Sequence, residues 1–207
     1  MATLVAFRAS NWDSPFRPGP ARRSYRFSDE AADATQYWCL HPLGPLAETL
    51  RWRNIRSAAF VAELRVRLWA ARFDDSGLVR VGFAEAAEHG LEAGDLVSDD
   101  YGAGQAWAAA VRRTVPGMIV PSAALPGSEN LVLFGPRVRI PYGGAPFDAG
   151  LEVPADPVAD GGKPPVDLLR HVRWRGDPHA GLEAWRDGDV LAAAQVRVEQ
   201  AGWRDEA

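Results

Sequence analysis

Six polar side chains stand at the ends of apolar runs in this chain: Arg8, Arg26, Tyr37, Glu48, Ser122 and Asn130. Their types could do chemistry. A carboxylate such as Glu48 can serve as the acid of an active site. Guanidinium groups such as Arg8 and Arg26 can fork onto phosphate or carboxylate. Tyr37 carries a ring and a hydroxyl, and Ser122 and Asn130 carry hydrogen-bonding groups. Each also has a plain explanation when taken alone. An arginine at a strand end is usually solvated, and a strand tyrosine usually belongs to the core or its rim. A serine or asparagine beside a turn usually caps local backbone.

The elements that must position these residues can be read from the pattern of the chain. "TLVAFR" (3–8) is a β-branched and aromatic strand candidate, and "TQYWCL" (35–40) is a second. Between them, residues 9–34 are rich in Pro, Ser, Arg and Gly and read as a long loop. "PLAETLRWRN" (45–54) predicts a short helix with Pro45 in its first turn. "AFVAELRVRLW" (59–69) alternates, with Leu64, Val66 and Leu68 on one side and Glu63, Arg65 and Arg67 on the other. That pattern predicts a half-buried strand. "GLVRVGF" (77–83) predicts a further strand. "GQAWAAAVRRT" (104–114) predicts a helix that ends on Arg112 and Arg113 and stops before Pro116-Gly117. "GMIVPS" (117–122), "NLVLF" (130–134) and "RVRIPY" (137–142) complete the strands.

Many short strands with two or three helices indicate an α+β fold. Composition shifts to Gly, Pro, Asp and Ala from about Gly143 to Pro165. The expected organisation is therefore a main domain over 1–151, a linker over 152–165 and a C-terminal extension over 166–207. The extension has enough Leu, Val and Trp to fold or dock. Its "GDPHAGLEAWRD" predicts a helix with Asp177 as N-cap and Pro178 at the first helical position.

Composition narrows the function classes. The 207 residues include 47% apolar and 24% charged residues, a globular profile, and the net charge of −4 is no footprint for direct nucleic-acid binding. The eight tryptophans allow large aromatic contacts, in the core or at a partner surface. Cys39 is the lone cysteine, so no internal disulfide can form and a reducing cytoplasm is expected. No apolar stretch approaches the roughly 20 residues of a membrane span. The four histidines lack metal-site spacing, so no metal is expected. "GAGQAW" lacks the third glycine and the preceding strand of a dinucleotide fingerprint, and neither a P-loop nor a nucleophile elbow is present.

Read in order, the six residues resemble the RES domain, a bacterial family named for its Arg, Glu and Ser. The family pattern opens on a strand ending in an aromatic-Arg pair, here Phe7-Arg8. A loop element follows, here "YRFS" with Arg26. Next come a strand and a helix, here "YWCLHPLGPLAE" with Tyr37 and Glu48. The last signature is "VPSAALPGSENLVLF", with Ser122 and Asn130. The match spans about residues 3–151 and departs from the family at Tyr25, where a glycine is usual, and at Ser28, where an asparagine is usual.

The resemblance implies an ADP-ribosyltransferase-like fold with mixed sheets and short helices. It implies a toxin of a toxin–antitoxin pair that consumes NAD by cleaving the nicotinamide–ribose bond, with phosphate or water as acceptor and no further cofactor. It also implies an antitoxin partner with a helix-turn-helix region. A homo-oligomer stays open, as do two other readings of the same site: ADP-ribosyl transfer to a macromolecule, and a non-catalytic domain that binds a partner. On this resemblance Glu48, Arg8 and Tyr37 are the catalytic candidates, and Arg26, Ser122 and Asn130 are candidates for substrate binding.

Overall fold

The structure, a computed structural model, describes residues 3–11, 15–16, 23–29, 35–134 and 155–189. In chain order the elements are β1 (Thr3–Ala9), β2 (Thr35–Cys39), α1 (Gly44–Arg53), α2 (Ala58–Glu63), β3 (Val66–Asp74) and β4 (Val79–Arg80). After two 3₁₀ turns, Ala86–His89 and Ala93–Leu96, come α3 (Gly102–Val111), β5 (Gly117–Pro121), β6 (Glu129–Phe134) and β7 (Ala155–Gly162). A 3₁₀ turn at Val166–Arg170 and α4 (Ala180–Arg186) close the described chain. The strands form one sheet in the order β4-β5-β6-β2-β1-β3-β7. The β4–β5 pair is parallel and the other pairs are antiparallel. The α+β class and the mixed sheet agree with the expectation.

The pairing is uneven along the sheet. β1 meets β3 over seven residues, from Thr3 opposite Asp74 to Ala9 opposite Leu68. β2 meets β6 over five, from Thr35 opposite Phe134 to Cys39 opposite Asn130. Between β1 and β2, only Phe7 and Cys39 stand in register. The two strands therefore part in the middle of the sheet, and packing holds them where backbone hydrogen bonds do not. Ala6 of β1, Trp38 of β2 and Leu131 of β6 share one buried cluster with Phe16 and Phe73, which pack around the Trp38 ring.

The link from β2 to α1 is tight. A Cβ added to Gly44 would lie 2.6 Å from the Cys39 Cβ, so the helix starts in direct contact with the strand. The Gly44 amide donates to the His41 carbonyl at 2.9 Å, and the Leu43 amide donates to His41 Nδ1 at 3.2 Å. Pro45 in the first turn needs no amide partner, and Asn54 ends the helix in the left-handed conformation with φ 52°. Leu46, Ala47 and Leu50 then face a core built with Val61, Leu64 and Val66.

Several expectations need correction. Residues 59–69 do not form a single strand. Ala58–Glu63 is a helix that buries Val61 and leaves Phe60 out, and the inward alternation holds only from Leu64 through Leu68. The alanine-rich start favours the helix. The strand expected at 77–83 shrinks to Val79–Arg80. Helix α3 begins at Gly102 rather than at residue 104. Part of the supposed linker is β7, an edge strand along β3 that carries Pro157, a residue tolerated there because an edge strand leaves one row of amides unpaired. The strand expected at 137–142 lies outside the described residues.

Helix α4 starts two residues later than expected, and His179, not Asp177, is its cap. Tertiary bonding decides this. His179 Nδ1 accepts from the Leu182 amide at 3.1 Å, while Nε2–H donates to the Ser122 carbonyl at 3.0 Å. Nearby, the Arg173 amide donates to the Ala124 carbonyl at 2.9 Å, and Leu168, Val172 and Trp174 join the core around α1. The extension is thus packed into the fold.

Two predictions follow from these contacts. Gly44→Ala must push strand and helix apart, and should lower stability by about 1–3 kcal/mol, seen as a lower melting temperature than wild type. His179 is buried, and burial, with the Arg173 and Arg26 charges adding to it, lowers its pKa from 6.5 to about 4. Between those values the unfolded chain binds a proton that the folded chain refuses. Stability is therefore full above pH 6.5 and declines toward pH 4, by on the order of 3 kcal/mol. Denaturant titrations across this window should show a shallower decline for His179→Asn than for wild type.

Candidate active site

A cavity of about 290 Å³ opens where β1 and β2 part. Phe7, Arg8 and Ala9 line it from one strand, and Thr35, Tyr37, Trp38 and Cys39 from the other. Helix α1 covers it with Pro45, Glu48, Thr49, Arg51 and Trp52. These residues lie three and four apart, so they share one helical face, while Leu46, Ala47 and Leu50 point into the core. Tyr25 and Arg26, Tyr101, Asn130 and Arg175 complete the wall.

Five of the six sequence candidates therefore meet here. Glu48 sits on α1 and its Oε1 accepts from Asn130 Nδ2 at 3.3 Å, which ties α1 to the start of β6. Arg8 donates through Nη1 to Gln36 Oε1 and lies 5.8 Å from the Trp38 ring centroid. Strand alternation sends Gln36 and Trp38 to the face opposite Tyr37, so Arg8 and Tyr37 approach the opening from different faces of the sheet.

Tyr37 is held by its hydroxyl. The oxygen accepts from the Phe27 amide at 3.2 Å and shares a hydrogen bond with Ser28 Oγ at 3.0 Å. Burial pushes its pKa up to about 12 despite these bonds, so the phenol stays protonated near neutral pH. The two departures from the family pattern are both used at this point. Ser28 supplies the hydroxyl, and the Tyr25 ring packs 5.6 Å from that of Tyr37. Tyr25 and Ser28 also exchange two backbone hydrogen bonds, of 2.7 and 3.2 Å, which close the turn that carries Arg26.

Arg26 is anchored as well as aimed. Its Nε and Nη2 donate to the Ser98 carbonyl at 2.9 and 2.7 Å, and the guanidinium lies 5.4 Å from the Tyr101 ring centroid. Burial lowers its pKa, with the Glu48 charge acting the other way. Helix α3 presses on this turn. A Cβ on Gly104 would come within 2.7 Å of the Arg26 carbonyl oxygen, and Gln105 Nε2 donates to the Tyr25 carbonyl at 2.9 Å. Gly104 of "GAGQAW" thus serves close packing.

Ser122 is not part of the cavity wall. It is fully buried, its Oγ accepts from the Leu125 amide at 3.2 Å, and its carbonyl receives His179. Cys39 does line the cavity, but burial and the Glu48 charge push its thiol well above the usual range, with Arg8 opposing them. A thiolate nucleophile is excluded at neutral pH.

Among the wall residues that were not site candidates from the sequence are Arg51, Trp52, Tyr101 and Arg175. Arg51 and Trp52 follow Glu48 by three and four positions, so helical spacing held that signal. Tyr101 and Arg175 come from distant segments and had none. Arg51 is buried and paired with Asp99, which also accepts from Arg173 Nη2 at 3.3 Å and the Gly176 amide at 2.9 Å. Burial alone would raise the Asp99 pKa. The Gly176 amide and the Arg51 and Arg173 charges outweigh it and hold the carboxyl below its ordinary value. The cavity thus combines one carboxylate with four guanidinium groups and a set of aromatic rings. Such a wall suits a ligand that is anionic at one end and cationic or aromatic at the other.

The sequence matches the RES domain over residues 5–149, and the chain belongs to that family. No curated protein matches it in sequence. In fold it is similar to a chain of the crystal structure of the M.tuberculosis MbcT–MbcA toxin–antitoxin complex, at a TM-score of 0.56 and 18% identity. That similarity covers 83% of this chain and 90% of the other. No described helix is long and apolar enough to cross a membrane.

Removal of the Tyr37 hydroxyl tests this geometry. Tyr37→Phe leaves the Phe27 amide and the Ser28 hydroxyl without their partner and should cost about 1–3 kcal/mol in a denaturant titration. In a spectrophotometric titration the phenol that ionises near pH 12 in wild type should be lost from the variant.

Proposed function

We propose that this protein is an enzyme that consumes NAD by breaking the bond between nicotinamide and ribose. The observation that carries the reading is the single carboxylate, Glu48, in a cavity whose wall also carries four guanidinium groups and six aromatic rings. The bond breaks with its electron pair moving to the ring nitrogen, so the cationic pyridinium leaves as neutral nicotinamide. Positive charge builds on the ribose as it does in glycoside cleavage. An oxygen of water or phosphate then bonds the ribose carbon and sheds its proton.

In this reading Glu48 stabilises the cationic ribose, directly or through a ribose hydroxyl, and Asn130 fixes the carboxylate. The Tyr37 ring lies against the nicotinamide, a contact worth about 0.5–2 kcal/mol. Its hydroxyl is already engaged, which leaves the ring as the useful surface. Arg8 and Arg26 draw the phosphates. Among the described residues Arg26 Nη1 makes no hydrogen bond, so it keeps a donor for them. Ser122 supports the site from behind, through the turn it caps.

Family membership and the fold shared with a chain of a toxin–antitoxin complex support a role as a toxin with an antitoxin partner, which in this reading carries a helix-turn-helix region. Purified protein incubated with NAD, with and without phosphate, should release nicotinamide. Glu48→Gln should lower that rate by about 100-fold or more while melting near the wild-type temperature. No release by folded wild-type protein under either condition would overturn the reading. Label from adenine-labelled NAD should end on free ADP-ribose or its phosphate, and label retained on a macromolecule would point to transfer instead.

A further inference from the structure

The matched family region ends at residue 149, yet one wall residue of the cavity, Arg175, lies beyond it. It comes from the extension, at the turn fastened by Asp99 to the Gly176 amide and to Arg173. From there Arg175 reaches the rim. Its guanidinium lies 5.8 Å from the Trp52 ring centroid, and its Nη2 meets the Tyr101 hydroxyl at a long 3.4 Å. Arg23 lies 5.5 Å from the same Trp52 ring. Trp52 is 51% exposed, although it is large and aromatic.

The wall guanidiniums differ in how far they are committed to the protein. Arg8 serves Gln36, Arg26 serves two carbonyls, and Arg51 serves Asp99. Arg175 has no carboxylate partner among the described residues, and its one hydrogen bond is weak. Most of its fork remains free. The aromatic contacts limit its range of positions, so less freedom is lost when a ligand binds. An exposed arginine is ordinarily just solvated. This one is held by two aromatic residues at the edge of a cavity whose wall carries the half-buried Glu48 carboxylate, one helical turn from Trp52.

We infer that Arg175, presented by the C-terminal extension and steadied on Trp52 and Tyr101, binds the diphosphate of the substrate at the rim. This rests on the dinucleotide reading of the cavity and deepens it, because the extension then becomes part of the substrate site. The diphosphate sits midway along a dinucleotide, so binding it at the rim leaves the nicotinamide ribose to reach inward toward Glu48. The purine end stays near Trp52, where stacking on a ring or a guanidinium plane is available.

The test uses the full chain and ADP as the probe. Calorimetric titration should show ADP binding about tenfold weaker to Arg175→Ala than to wild type. Arg175→Lys should fall between them, because an ammonium cannot fork onto phosphate oxygens. Trp52→Ala should weaken ADP by several-fold. The salt dependence of affinity should become shallower in Arg175→Ala, since one fewer cation meets the phosphates. With NAD as substrate, KM should rise about as much as ADP affinity falls, and kcat should change much less.

Wild-type affinity for ADP in the Arg175→Ala variant, or no ADP binding by wild type, overturns the inference. The two readings can fail separately. Arg175-dependent ADP binding without nicotinamide release keeps the rim site and removes the proposed reaction. Nicotinamide release with a KM for NAD indifferent to Arg175 keeps the reaction and removes the rim site.

Discussion

Asp99 joins three parts of the chain that are remote in sequence. Its carboxylate meets Arg51 on the helix that covers the cavity, Arg173 in the extension and the Gly176 amide beside Arg175. Arg51 is buried, and a buried guanidinium without a counter-charge would cost several kcal/mol. The pairing therefore fixes more than one bond. It sets where the face of α1 lies, and so where Glu48 and Trp52 point. It also determines that the extension crosses close to the cavity. The Ser98 carbonyl, next to Asp99, holds Arg26, so a single short loop organises cations from three directions.

The chemistry that remains is defined as much by what is silenced as by what is offered. The Cys39 thiol lies within reach of the Glu48 and Arg8 charges but is kept neutral by burial. The Tyr37 hydroxyl is occupied and its pKa is raised to about 12. Neither competes as a nucleophile or an acid near neutral pH. One carboxylate is left among fixed cations, an arrangement that favours a substrate with separated charges over a simple polyanion.

The sequence was readable where local pattern and tertiary need agreed. β1, β2 and α1 were legible because short apolar runs, Pro45 and the helical spacing of Leu46, Ala47 and Leu50 all pointed the same way. The family motif carried Arg8, Arg26, Tyr37, Glu48 and Asn130 to a single cavity. It also carried Ser122, which local chemistry turns into a turn cap. Legibility failed where distant contacts decide. The helix at Ala58–Glu63 hid inside an alternating run whose second half is a true strand. β7 hid in a Gly-Pro-Asp composition that only an edge position tolerates. His179 became a cap because Ser122, 57 residues away in sequence, holds the other side of its ring. Arg175 and Tyr101 reach the wall from separate segments, and nothing local to either announces it.

The thin junction between β1 and β2 has a mechanical meaning. With one register pair at that point, the sheet divides into a half of β4, β5, β6 and β2 and a half of β1, β3 and β7. Side-chain packing, rather than a ladder of amides, is the mortar along this seam. A ligand held by Arg8 on one half and by Tyr37 on the other would bridge the seam and stiffen the whole sheet, because anything that binds only the assembled form shifts the folding equilibrium toward it. A filled site of this kind makes the protein stronger at its weakest course.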